Sequence, residues 1–230
     1  MITAALIGNP NVGKSVVFNS LIPGARQHTG NWPGKTVEKK EGKFKHNGEE
    51  ITLVDLPGTY SLTARAEDEL IARTFIVEEK PDVVIDLVDA SNIERNLYLT
   101  MLLMELEANL IVVLNMMDIA EEKGYKIDSA KLSKQLGVPV IEAVAVRGDG
   151  MEKLKDAIVE APNKKPSNKI KYSKEVETVI TKIADAFKEL DTMKTYPPRW
   201  LAIKALERDQ EVMERIKGTP VEATLQEVLQ

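Results

Sequence analysis

The sequence predicts an α/β protein, a mostly parallel six-stranded sheet flanked by helices, followed by a small all-helical unit. Three observations predict it. Short apolar runs alternate with helix-period segments through residues 1–162; a glycine-bearing loop joins the first run to the first helical pattern; beyond that region only helical spacing remains.

Ile2 to Ile7 is an apolar run ending at Gly8, and Val16, Val17, Phe18 and Leu21 follow at helical spacing, so strand, loop and helix succeed one another. Residues 38–45 alternate, Asn47-Gly48 is a strong hairpin turn, and 51–54 is the returning strand, so these two pair antiparallel. Residues 83–88, 110–114 and 138–141 read as further strands, with helices over 93–106, 130–136 and 151–160. Ligands of such sheets bind outside the carboxyl ends of the strands. A polar, proline-bearing linker over 163–171 separates a unit at 1–162 from one at 172–230. There Ser173 is a good N-cap for a helix running to about Leu190, a second helix spans Pro198 to about Ile216, and a third covers 221–229.

The 230 residues carry 31 basic and 36 acidic side chains, a net charge of -5, so no global field draws the chain to nucleic acid. With no cysteine there can be neither a disulfide framework nor a thiolate metal site, and two histidines cannot by themselves make a zinc centre. The longest apolar runs fall well short of the roughly 20 residues needed to span a bilayer, so the chain reads as soluble.

Gly8-Asn9-Pro10-Asn11-Val12-Gly13-Lys14-Ser15 has the spacing of a phosphate-binding loop in strand-to-helix context, with Val16 next in the helix. Curled backbone N–H groups and a helix N-terminus suit a polyphosphate, Lys14 reaches its β and γ phosphates, and the Ser15 hydroxyl suits Mg²⁺. Asp55-Leu56-Pro57-Gly58 directly follows a strand, where Asp55 can hold Mg²⁺ through a bound water and the Gly58 N–H can meet a γ-phosphate. Thr36, in the loop before the second strand, is a ligand for Mg²⁺ and γ-phosphate that engages only when the third phosphate is present. Asn115-Met116-Met117-Asp118 follows a strand and supplies a base-reading carboxylate. Guanine offers N1–H and N2–H donors side by side to Asp118, whereas adenine offers neither, and charge-assisted hydrogen bonds are worth roughly 1.5–3 kcal/mol each. GTP and GDP are therefore the expected ligands.

These motifs, in this order, resemble the translation-factor-type GTPases, which implies a P-loop NTPase G-domain. More narrowly, Gly30-Asn31-Trp32-Pro33-Gly34, Asp55 through Leu62, and Asp89-Ala90-Ser91-Asn92 through Thr100 resemble the N-terminal cytosolic region of the ferrous-iron transporter family FeoB. Pro198 through Lys204 is similar to the helical segment this family places after its G domain, which implies modulation of GDP release. The resemblance implies a slow GTPase at the cytoplasmic face of the cell membrane, controlling Fe(II) uptake by a membrane-embedded permease portion of the same polypeptide. Weak self-association is compatible with it. Asn11 implies K⁺ activation, with backbone carbonyls around Gly30 and Trp32 as further K⁺ ligands. Asn11, Lys14, Thr36 and Gly58 then form the catalytic set. Met116 replaces the usual lysine of the guanine motif, and Val144-Ala145-Val146 stands at the last base-binding motif, where the Ala145 N–H can reach guanine O6. Thr59 occupies the place of a water-orienting glutamine. Trp32 reads as part of a mobile loop, and Trp200 as core.

Two competing functions remain. An RNA- or ribosome-associated GTPase shares the phosphate loop and Asn11, but the acidic balance and the absence of a basic appendage argue against nucleic acid. A module that holds nucleotide without turnover is compatible with the missing glutamine.

Overall fold

In the computed structural model, residues 1–22, 27–63, 66–163 and 170–229 are described. Most of the expected linker, including Lys164, Lys165, Pro166, Ser167, Asn168 and Lys169, lies outside them.

β1 (Ile2–Gly8) runs into α1 (Lys14–Leu21), then come β2 (Gln27–Asn31), β3 (Glu38–His46), β4 (Glu49–Asp55) and α2 (Glu67–Thr74), which continues as a π-turn over Phe75–Glu79. β5 (Val83–Asp89), α3 (Ile93–Glu105), β6 (Leu110–Asn115), α4 (Met117–Glu122), α5 (Ser129–Leu136), β7 (Val140–Glu142) and α6 (Met151–Glu160) complete the first unit. The helical unit comprises α7 (Lys174–Lys188), α8 (Pro198–Leu206), α9 (Gln210–Ile216) and α10 (Pro220–Val228).

The sheet has seven strands in the order β2-β3-β4-β1-β5-β6-β7, one more than the sequence predicts. β2 and β3, and β3 and β4, pair antiparallel; every other pair is parallel. The extra strand is β2. Its polar residues have no apolar period, and it is ordered by pairing with β3, Gly30 opposite Lys39. The β3–β4 turn is the expected one, with Asn47 and Gly48 at φ 48 and 84, the left-handed pair that a two-residue hairpin demands.

Both faces of the sheet are covered, which is why its parallel strands are apolar without alternation. Ala4 and Leu6 of β1 face α1 and α6 together with Phe18, Phe44 and Leu154; Ala5 and Ile7 face the opposite layer with Leu56, Ile71, Leu99 and Leu103. That second layer is continuous with the helical unit through Ile180, Phe187, Trp200 and Leu201. Trp200 is buried and stacks on Tyr196 at 5.1 Å, as expected of a core residue.

A charged contact crosses the same seam. Arg73 of α2 is fully buried, pairs with Glu211, lies 3.4 Å from Asp209, and donates to the Leu62 carbonyl. Asp209 also caps α9, accepting from the Val212 N–H at 3.2 Å. The single helix expected from Pro198 to Ile216 is therefore two: Arg208 turns to φ 57 and Asp209 starts a new helix on its own carboxylate.

Trp32 is likewise not in an open loop. It is buried edge-to-face against Phe75, with ring centroids 5.5 Å apart.

Candidate nucleotide-binding site

β1 lies between β4 and β5, where chain order in the sheet reverses, and the carboxyl ends of four strands meet there: Gly8, Asp55, Asp89 and Asn115. The phosphate loop leaves β1 at this point and enters α1 at Gly13, whose φ of 91 suits glycine. A Cβ there would meet Asn115 Nδ2 at 2.5 Å, so loop and base motif pack without room for a side chain. No side chain caps α1, and no acid occupies its first turn, leaving its leading N–H groups for an anion.

Lys14 Nζ lies 2.5 Å from Asp55 Oδ1, joining the loop to the end of β4. Burial pushes the Asp55 carboxyl up, outweighing the Lys14 ammonium that pulls it down. The loop following Asp55 is fastened to β1 and the phosphate loop. Leu56 N–H donates to Leu6 O at 2.9 Å, Thr59 N–H donates to Gly8 O at 3.2 Å, and Gly58 lies beside Pro10. Thr59 is buried, its hydroxyl donating to Ser61 O at 2.7 Å. The donor set of Asp55 carboxylate and Ser15 hydroxyl fits a hard cation such as Mg²⁺. Among the described residues there is no group of three His, Cys, Asp or Glu that could hold a metal ion.

Asn115 is the strut of the base end. Its Nδ2 donates to Val12 O at 2.9 Å and its Oδ1 accepts from Ala145 N–H at 3.0 Å, tying the phosphate loop to the loop after β7. The Ala145 N–H, expected to reach guanine O6, donates to Asn115 in this arrangement. Met116 adopts φ 61 and its methyl approaches Gly13, covering the loop as an apolar stem. Asp118 accepts from Ile119 N–H at 3.0 Å through one oxygen and faces Arg147 at 4.0 Å with the other. Val146 is exposed at the mouth of this region.

Thr36, Gly30 and Trp32 are placed elsewhere. They belong to the edge of the sheet: Gly30 is within β2, Trp32 O accepts from Lys35 N–H at 2.9 Å, and Trp32 N–H donates to Val37 O at 3.0 Å. Thr36 is exposed and, among the described residues, makes no hydrogen bond to the phosphate loop or Asp55. Asn9 and Asn11 do line the site, Asn9 buried with an unpartnered Oδ1 and Asn11 exposed at φ 67. Tyr60, Asp89 and Arg95, which fall in the two stretches that carry the family resemblance, also gather around it, and Arg147, which has no signal in the sequence, faces Asp118 at the base end.

A family model for ferrous iron transport protein B matches residues 2–158, and one for the FeoB cytosolic helical domain matches 172–230. The chain belongs to the FeoB family. The Fe(2+) transporter FeoB of Methanocaldococcus jannaschii is 52% identical over 225 residues, 98% of this chain and 33% of that protein. That of Escherichia coli is 45% identical over 220 residues, covering 90% of this chain and 27% of the relative. The chain thus spans about a third or less of these FeoB proteins. The structure is similar to the cytosolic domain of the T. maritima FeoB iron transporter in its apo form, with TM-score 0.88, 37% identity, and coverage of 100% of this chain and 98% of that one. Its GMPPNP form matches with TM-score 0.87, 38% identity and coverage of 100% and 98%. No helix among the described residues is long and apolar enough to cross a membrane.

Proposed function

We propose that this FeoB chain binds GTP and GDP with Mg²⁺, hydrolyses GTP slowly, and relays the order of its loops to a membrane-embedded portion of the same polypeptide that passes Fe(II). It works at the cytoplasmic face of the membrane, with residues 1–162 binding nucleotide and 172–230 as the helical unit. The observation that carries this reading is the Asn115 bridge, which holds the phosphate loop and the base-reading loop as one receptor. The nucleotide complexes of related FeoB domains support it.

Binding begins with an exchange of partners. Lys14 leaves Asp55 for the β and γ phosphates, N–H groups of residues 8–16 other than Pro10 take the phosphate oxygens, and Asp55 is freed to hold a bound water. Ser15, Thr36 and Asp55 would hold Mg²⁺, which supplies positive charge to the phosphates. Thr36 must leave the sheet edge to do so, which makes 30–36 a switch that responds to the third phosphate. Gly58 N–H meets the γ-phosphate. With Thr59 turned inward, catalysis rests on positioning and electrostatics, without a covalent intermediate. Asn11, with carbonyls of Gly30 and Trp32, would hold K⁺ once 30–36 has been rebuilt; in the present arrangement those carbonyls lie in the β2–β3 arm.

Asp118, Met116 and the Val144–Val146 turn receive the base. Equilibrium binding of labelled GDP, GTP and ATP to the wild type and Asp118→Ala tests the assignment. The wild type prefers guanine, and Asp118→Ala loses at least tenfold of that preference, the loss of one charge-assisted hydrogen bond. Full discrimination in the variant refutes the base assignment, and no saturable binding in magnesium buffer refutes the whole reading.

A further inference from the structure

Between the phosphate loop and the start of α3 lies a polar cavity of about 170 Å³ whose walls include Asn9, Asn11, Tyr60, Asp89, Arg95 and Asn96. Its cation is Arg95. The guanidinium stands over the Tyr60 ring, 4.6 Å from its centroid, and makes no ion pair among the described residues. Asp89, the carboxylate of the cavity, is engaged by Ser91 N–H at 2.8 Å and Asn92 Nδ2 at 2.7 Å.

Tyr60 lies two residues beyond Gly58, in the loop that must present a main-chain donor to the γ-phosphate. Thr59 cannot orient the attacking water, since its side chain is buried and bonded to Ser61. What is left is the backbone of Gly58 and Thr59. The Thr59 N–H to Gly8 carbonyl bond, at 3.2 Å, fastens it to the phosphate loop from one side. The Arg95 stack on Tyr60 is a second fastening, from α3.

We propose that Arg95 is a positioning residue for GTP hydrolysis: by stacking on Tyr60 it clamps the Gly58-Thr59 backbone against the phosphate loop. The inference rests on the hydrolysis reading above. Arg95 acts through Tyr60 and does not itself contact the nucleotide. A cation–π contact at a part-exposed site corresponds to about a two- to fivefold change in an equilibrium, and the effect on turnover should be of that size.

The test is GTP turnover and GDP affinity of the full 230-residue chain in magnesium and potassium buffer. Arg95→Ala, Tyr60→Leu, Tyr60→Phe and the double variant Arg95→Ala with Tyr60→Leu are compared with the wild type. Arg95→Ala and Tyr60→Leu should each lower kcat about two- to fivefold with unchanged GDP affinity, and the double variant should be no slower than either single one. Tyr60→Phe, which keeps the ring, should retain turnover. Amide exchange at Thr59 should quicken in Arg95→Ala by a similar factor, a readout that direct contact with phosphate would not produce. Unchanged kcat in Arg95→Ala, parallel loss of GDP affinity, or additive effects in the double variant overturns the clamp alone. A wild type that binds GTP and never turns it over overturns the hydrolysis reading and this inference with it.

Discussion

Asp86 offers the sharpest test of how burial controls charge in this fold. It sits in the middle of β5 between Ile7 and Val112 of the neighbouring strands, is 1% exposed, and has one partner, the Thr100 hydroxyl at 2.5 Å. Its second oxygen has none. Burial pushes the carboxyl up to about 7 from 3.8, against the smaller opposing pull of the Thr100 hydrogen bond. A raised acid disfavours the folded state once the unfolded chain ionises. Stability is therefore undiminished below about pH 4, falls as pH climbs toward 7, and is level above it. Three pKa units at about 1.4 kcal/mol each set a ceiling of about 4 kcal/mol on that loss. Asp86→Asn removes the titration and keeps an oxygen for Thr100. The new amide nitrogen takes the unpartnered place at a cost of about 1–3 kcal/mol, so the variant should be less stable than wild type at pH 4.5 and more stable at pH 8. Urea unfolding of nucleotide-free protein at intervals between those values measures it, and other titrating groups cancel in the difference. A difference between variant and wild type that stays flat to within about 0.5 kcal/mol over the range refutes the argument.

Arg73→Ala strands Asp209 and Glu211 beside a buried gap and should cost about 3 kcal/mol in thermal or urea unfolding, with a single transition since the core is shared; a loss under about 1 kcal/mol would mean that the seam is held by apolar packing alone. Turnover of GTP should be faster in KCl than in NaCl, and Asn11→Ala should erase the difference; equal rates in the two salts remove K⁺ from the proposed mechanism.

The local parts of this molecule were legible in its sequence. Phosphate loop, β3–β4 hairpin and the carboxylates at strand ends are written in consecutive residues, because each depends on backbone geometry or a nearby turn. What depends on distant partners was not. β2 has polar residues and is a strand only because β3 lies beside it. Trp32 looked mobile until Phe75, far along the chain, supplied its contact. Asp86 lay hidden within an apolar run, and Arg73 finds its acids in a helix that begins well over a hundred residues later. The partner of the Ala145 amide is likewise distant in sequence: Asn115 belongs to another strand. The break after α8 did have a local sign, Asp209 three residues before Val212, which the apolar spacing overrode.

The apolar seam joining Ile71 and Phe75 to Ile180 and Trp200 makes the two units poor candidates for separation. Cutting the gene between them would leave a greasy scar on each half, and each would be expected to clump or to seek a surrogate neighbour. For protein engineers, a sensor or chimera built from this scaffold should exchange both pieces together.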